Sequence, residues 1–162
     1  MIKYCNRPFE SIDIMDEALI DYWNMNVKDG DIVYHLGDFC FGLADKYIKH
    51  LNGSIILIRG SHDDRTINQY RSLFKYVYDF GHELKIDGLS ITLCHYCLRT
   101  WPKSHYNTYH LYGHSHGNLE PIGKSWDCGV DNNSFRPISI DEVKVIMNSR
   151  PDNFNYINRS KG

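Results

Sequence analysis

Apolar side chains at Ile14, Ala18, Leu19, Tyr22, Trp23 and Val27 fall on one face of a helix. The spacing predicts a helix over 11–28, with Ser11 as its N-cap and acidic residues in its first turns. Lys28-Asp29-Gly30-Asp31 then reads as a turn. DIVYHL (31–36) predicts a short buried strand, LADKYIKHL (43–51) a helix ended by Asn52-Gly53, and SIILIR (54–59) a strand buried on both faces. Beyond residue 70 the pattern turns strand-like, in segments 75–80, 83–87, 89–94, 108–112 and 125–130. Asp87-Gly88 predicts a hairpin between two of them. A last helix is predicted over 139–148, opened by the capping-box pattern Ser139-Ile-Asp-Glu142. Strand, helix and strand followed by a run of strands imply a layered α/β domain with a mixed sheet. The chain divides into one domain over 1–150 and a polar, loose tail over 151–162.

Composition narrows the class. The 162 residues suit one domain, and 42% apolar content suffices for a core. Eighteen basic against twenty acidic residues give a formal charge of −2, which argues against a dedicated polyanion binder. No run approaches the ~18 apolar residues of a membrane span, and MIKYCNRPFE lacks the apolar centre of a signal peptide. A cytoplasmic protein is expected, with no membrane partner. Five irregularly spaced cysteines do not form a disulfide framework.

The nine histidines matter by position. Four polar clusters each follow a predicted strand: Gly37-Asp38, Gly60-Ser61-His62-Asp63, His95, and Gly113-His114-Ser115-His116. Sites in open α/β sheets gather beyond the carboxyl ends of strands, so one rim could receive an Asp and four His. That donor set suits divalent Mn, Fe or Zn. Two such ions about 3.5–4 Å apart can clamp a phosphoryl group, and a spare histidine can serve as general acid. His35 and His110 lie inside strands and read as structural; His50, His82 and His105 read as surface or loop residues. Asp63 and Asp64 read as caps of the turn after His62. Cys94-His95-Tyr96-Cys97 is a poor zinc site, because successive strand residues point to opposite faces.

In order and context these clusters resemble the GD, GNHD, H and GHxH motifs of calcineurin-like metallophosphoesterases, especially a small bacterial and phage-type subgroup. The similarity runs from IKYCNRPF (2–9) to RPISIDEV (136–143). It implies a layered sandwich of two mixed β-sheets flanked by helices. It also implies hydrolysis of phosphate mono- or diesters by a metal-bound hydroxide. Asp38 would bridge two metals, His95 and His114 would bind the second and His116 the first, His62 would be the general acid, and Arg99 would contact phosphate. Substrates could be small phosphate esters or nucleotides, with nucleic acid not excluded.

The sequence departs from the family at two points. Its first strand, ending in D-x-H, is absent, and Ser61 replaces Asn. Asp38, His95 and His114 would therefore form the better-furnished side, holding one ion where the family holds two. The sheet edge left by the missing strand would either self-associate or be covered by residues 1–9 or the polar tail. The alternative reading is a metal- or phosphate-binding domain with little catalysis; another is a shortened form of a normal enzyme.

Overall fold

The computed structural model describes residues 1–158. Helix α1 spans Ile12–Asn26, and the Ser11 side chain accepts from the Ile14 amide at its start. Strand β1 (Ile32–His35) leads to α2 (Asp45–Ile48), β2 (Ser54–Ile58), α3 (Asp64–Tyr70) and β3 (Tyr76–Tyr78). Strands β4 (Gly81–Ile86) and β5 (Leu89–Cys94) form a hairpin, followed by β6 (Tyr109–Tyr112), β7 (Ser125–Asp127) and α4 (Ile140–Ser149). Asp87 and Gly88 both take positive φ at the hairpin tip, 51° and 79°, as a two-residue turn matched to strand twist requires.

The architecture is mixed α/β with two sheets. One has the order β1-β2-β3 and the other β4-β5-β6-β7. The expectation of two mixed sheets needs one correction: the first is wholly parallel. Helical crossovers α2 and α3 join its strands, and such connections carry the chain back to start the next strand in the same direction. The second sheet is mixed, with β4 antiparallel to β5 and β5, β6 and β7 parallel.

Strand β2 carries the pattern through the core. Ile55 and Leu57 face one cluster with Phe74 and Val77, against which Trp23, Ile48, Leu51 and Ile67 of the helical side pack. Ile58 faces the other way, into a cluster with Ile91, Leu93 and Leu111 of the second sheet and Val143 and Met147 of α4. The period of two thus places successive residues in different layers. It explains why residues 55–58, IILI, are apolar throughout.

Two sequence expectations failed, and one helix was unforeseen. Helix α3 had no place in the pattern, because DRTINQY buries only Thr66 and carries little apolar stripe. His82 lies within β4, stacked on Tyr78 with ring centroids 4.1 Å apart, rather than on a loop. The segment after residue 150 is docked, not loose. Asn153 is buried, and its side chain donates to the Ser104 and Thr108 carbonyls and accepts from the Lys124 amide. Polar side chains signalled exposure, but these make specific hydrogen bonds. Residues 159–162 of the predicted tail lie outside the described residues.

The capping box at α4 is complete: Ser139 accepts from the Glu142 amide and Glu142 from the Ser139 amide. The Arg136 guanidinium and the Ser139 amide hold the Glu142 carboxyl down at about 2, from an ordinary 4.5. A depressed carboxylate stabilises the fold above its unfolded value and loses that contribution as pH falls through the folded value. Glu142→Gln should therefore lower stability at neutral pH by up to about 1 kcal/mol, limited by water screening. The difference from wild type should vanish as pH falls from about 4.5 to about 2, as chemical denaturation across that range would reveal.

Candidate metal centre

The loop after β1 and the loop after β2 meet around one buried carboxylate. Asp63 is fully buried and accepts from the Asp38 amide at 2.7 Å, the Phe39 amide at 2.8 Å and the Gly60 amide at 2.8 Å. It sits at the N-cap position of α3 but makes no side-chain cap bond there. It cross-links two loops, which is more than the turn cap expected from sequence. Asp64 instead pairs with Arg59.

This bracing has local work to do. Asp38 has φ 54°, a left-handed conformation that costs a non-glycine residue on the order of 1 kcal/mol or more. Two glycines admit the loops to one another. A Cβ on Gly60 would lie 2.4 Å from Asp38 N and Oδ1, and one on Gly37 (φ 94°) would lie 2.6 Å from Gly60 N and His95 Nδ1. The Asp38 carboxylate is itself oriented, with Oδ1 accepting from the His62 amide at 2.8 Å and Oδ2 from the Ser61 hydroxyl at 3.2 Å.

His95 follows β5 and is 1% exposed. Its Nδ1 lies 2.7 Å from the Leu36 carbonyl, which can only accept, so Nδ1 carries the hydrogen. In the neutral ring Nε2 is then a lone pair. That atom lies 3.5 Å from Asp38 Oδ2 and 3.0 Å from His114 Nδ1. Ligand atoms of Asp38, His95 and His114 all fall within 4.8 Å of one another. A proton on His114, or a cation shared among the three, relieves the repulsion of facing lone pairs. One carboxylate and two imidazoles, with two of the three positions fixed by neighbours, fit a divalent transition metal.

The turn carrying His114 and His116 is built like the first. Both residues have positive φ, 65° and 49°. Fully buried Asp127, at the end of β7, accepts from the Ser115 hydroxyl at 2.6 Å and the Gly117 amide at 2.9 Å. His116 does not join the Asp38 group. Its Nδ1 lies 2.7 Å from Asp131 Oδ2, and it clusters with Cys5 and Asp131. Arg7 grips Asp131 with two bonds, from Nε at 2.6 Å and Nη2 at 2.8 Å. Burial works to raise the Asp131 pKa, but the bonds from Arg7 and His116 outweigh it and hold the carboxyl below its ordinary value. Burial pushes the Cys5 thiol up.

His62 is exposed, with its ring centroid 5.1 Å from that of Phe41. Arg99 lies over the Phe154 ring at 4.9 Å. His110 is structural: it receives the Leu98 amide on Nε2 and lies 3.0 Å from the Thr92 carbonyl through Nδ1. Desolvation lowers its pKa. His35 is held by packing instead; its buried Nδ1 has no hydrogen-bond partner, and its ring meets Phe39 at 5.0 Å. Neither Cys94 nor Cys97 falls in a metal-capable group among the described residues. Asp127 and Asp131 carried no sequence signal, because each acts through loops that only folding brings together.

No family model matches the chain. A protein of Methanocaldococcus jannaschii described as uncharacterized, MJ1445, is 32% identical over 166 aligned residues, covering 91% of this chain and 83% of that protein. The chain belongs to the MJ1445 family. A crystal structure of a protein of unknown function from Aquifex aeolicus, AQ665, shares its fold with a TM-score of 0.68 at 23% identity, over 90% of both chains. Within this member of the MJ1445 family, no helix of the described residues is long and apolar enough to cross a membrane.

Asp63→Ala should strand three amide donors and release the left-handed turn at Asp38. We expect a loss of about 3 kcal/mol or more in urea unfolding. A loss below about 1 kcal/mol would contradict the cross-linking role.

Proposed function

We propose that this chain is a metal-dependent phosphoesterase of the calcineurin-like kind, acting on phosphate mono- or diesters of small molecules or nucleotides in the cytoplasm. The observation that carries the reading is the convergence of Asp38, His95 and His114 within 4.8 Å, on loops that follow three different strands. Support also comes from left-handed backbone at Asp38 and His114, strain of a kind that gathers at functional sites.

Asp38, His95 and His114 would hold a divalent cation, of which Mn, Fe and Zn suit the donors. Such a cation, when bound, offsets phosphoryl charge and makes water acidic enough to attack at neutral pH. Leu36 keeps the hydrogen of His95 on the far nitrogen, so the near one remains a donor to the site. Ser61 and the His62 amide hold the Asp38 carboxylate in place. Through that amide bond the His62 backbone is tied to the same carboxylate, and its exposed ring can bring a proton to the departing alkoxide.

The test is hydrolysis of bis(p-nitrophenyl) phosphate and p-nitrophenyl phosphate with added manganese. Asp38→Asn and His114→Ala should each lower kcat/KM by about 100-fold or more. His62→Ala should cost more on an alkyl ester than on a p-nitrophenyl ester, because a stable leaving group needs less protonation. Manganese binding without turnover of either substrate would instead favour a metal-binding domain.

A further inference from the structure

We infer that Asp131, clamped by Arg7, is a positioning residue that fixes the tautomer of His116 and reserves its Nε2 for a cation. The inference rests on the phosphoesterase reading and takes His116 as a metal ligand because the family resemblance implies it, although His116 lies outside the Asp38, His95 and His114 group.

The geometry dictates the hydrogen. Both oxygens of Asp131 accept from the Arg7 fork, and the Arg7 and Asp131 side chains are each 9% exposed. A carboxylate gripped in this way stays ionised and can only accept. His116 Nδ1, 2.7 Å from Oδ2, must therefore carry the hydrogen. The neutral ring keeps one lone pair, on Nε2. A carboxylate behind a histidine in this manner orients the ring and raises its basicity toward a metal.

The same contacts argue against Cys5, His116 and Asp131 as a metal cage, although their ligand atoms lie within 4.8 Å of one another. The Arg7 guanidinium already neutralises Asp131 from both oxygens. A second cation there would face that charge without a free carboxylate. Arg7 stands 124 residues from Asp131 in sequence, so the segment around residues 1–9 takes part in shaping the turn at 113–116.

The experiment reads the metal-free protein first. Nitrogen-15 NMR of histidine-labelled protein at pH 8 reports which ring nitrogen carries hydrogen. Wild type should show His116 protonated on Nδ1; Asp131→Ala should move it toward the Nε2-protonated form. Manganese titration calorimetry should then show affinity weakened about 10- to 100-fold in Asp131→Ala. Arg7→Gln, which spares the carboxylate, gives the same readouts if Asp131→Ala does not fold, with a smaller shift expected. Cys5→Ser should leave tautomer and affinity as in wild type. An unchanged His116 tautomer in the folded variants would overturn the inference. So would a Cys5→Ser loss equal to that of Asp131→Ala, which would make the cluster itself a ligand set. Should wild type bind no manganese, the phosphoesterase reading falls, while the tautomer measurement still decides the role of Asp131.

Discussion

The candidate centre depends on the Asp63 carboxylate. It is an anion placed where three backbone amides would otherwise have no partner, and it joins the turn after β1 to the turn after β2. Hydrogen bonds to a buried ionised acceptor are the strong kind. Removing the acceptor leaves every donor exposed to its full desolvation penalty. Asp127 repeats the device at the turn after β6, using a hydroxyl and an amide. One buried carboxylate for each sheet thus fixes that sheet's loops, and Asp38 and the imidazole of His114 are carried along.

The strands do the coarser positioning. Parallel pairing of β1 with β2, and of β5 with β6, points their carboxyl ends the same way within each sheet. Ile58 and Leu111 lie in one apolar cluster, so the two sheets meet with their loop ends in reach of one another. The Leu36 carbonyl shows the result, since it follows β1 in the first sheet yet accepts from His95 at the end of β5 in the second. The metal-capable triad therefore straddles both sheets, and packing between them sets its dimensions.

Much of this was legible from local pattern. Ser11, the Asp87-Gly88 turn and the Ser139–Glu142 box mark boundaries through contacts within a few residues, which sequence displays directly. Apolar periodicity gave β2 its two buried faces. The four clusters after strands were visible, and three of their residues, Asp38, His95 and His114, do converge. His116 was visible as a histidine, but its partner was not. Asp131 lies fifteen residues away and Arg7 at the other end of the chain, and long-range polar pairs leave no period to read. Asn153 was misjudged for the same reason, because a polar residue reads as solvated until its partners are known.

The left-handed backbone at Asp38, His114 and His116 sets a conflict between durability and chemistry. Glycine would adopt those angles without steric cost, and asparagine with little. Selection for thermal endurance alone would drift toward such residues at all three positions. Each replacement by glycine would relax the chain and delete a candidate ligand at once. A stabilised descendant of this protein is therefore expected to gain its margin elsewhere, in the helices and the hairpin, and to keep these three uncomfortable residues.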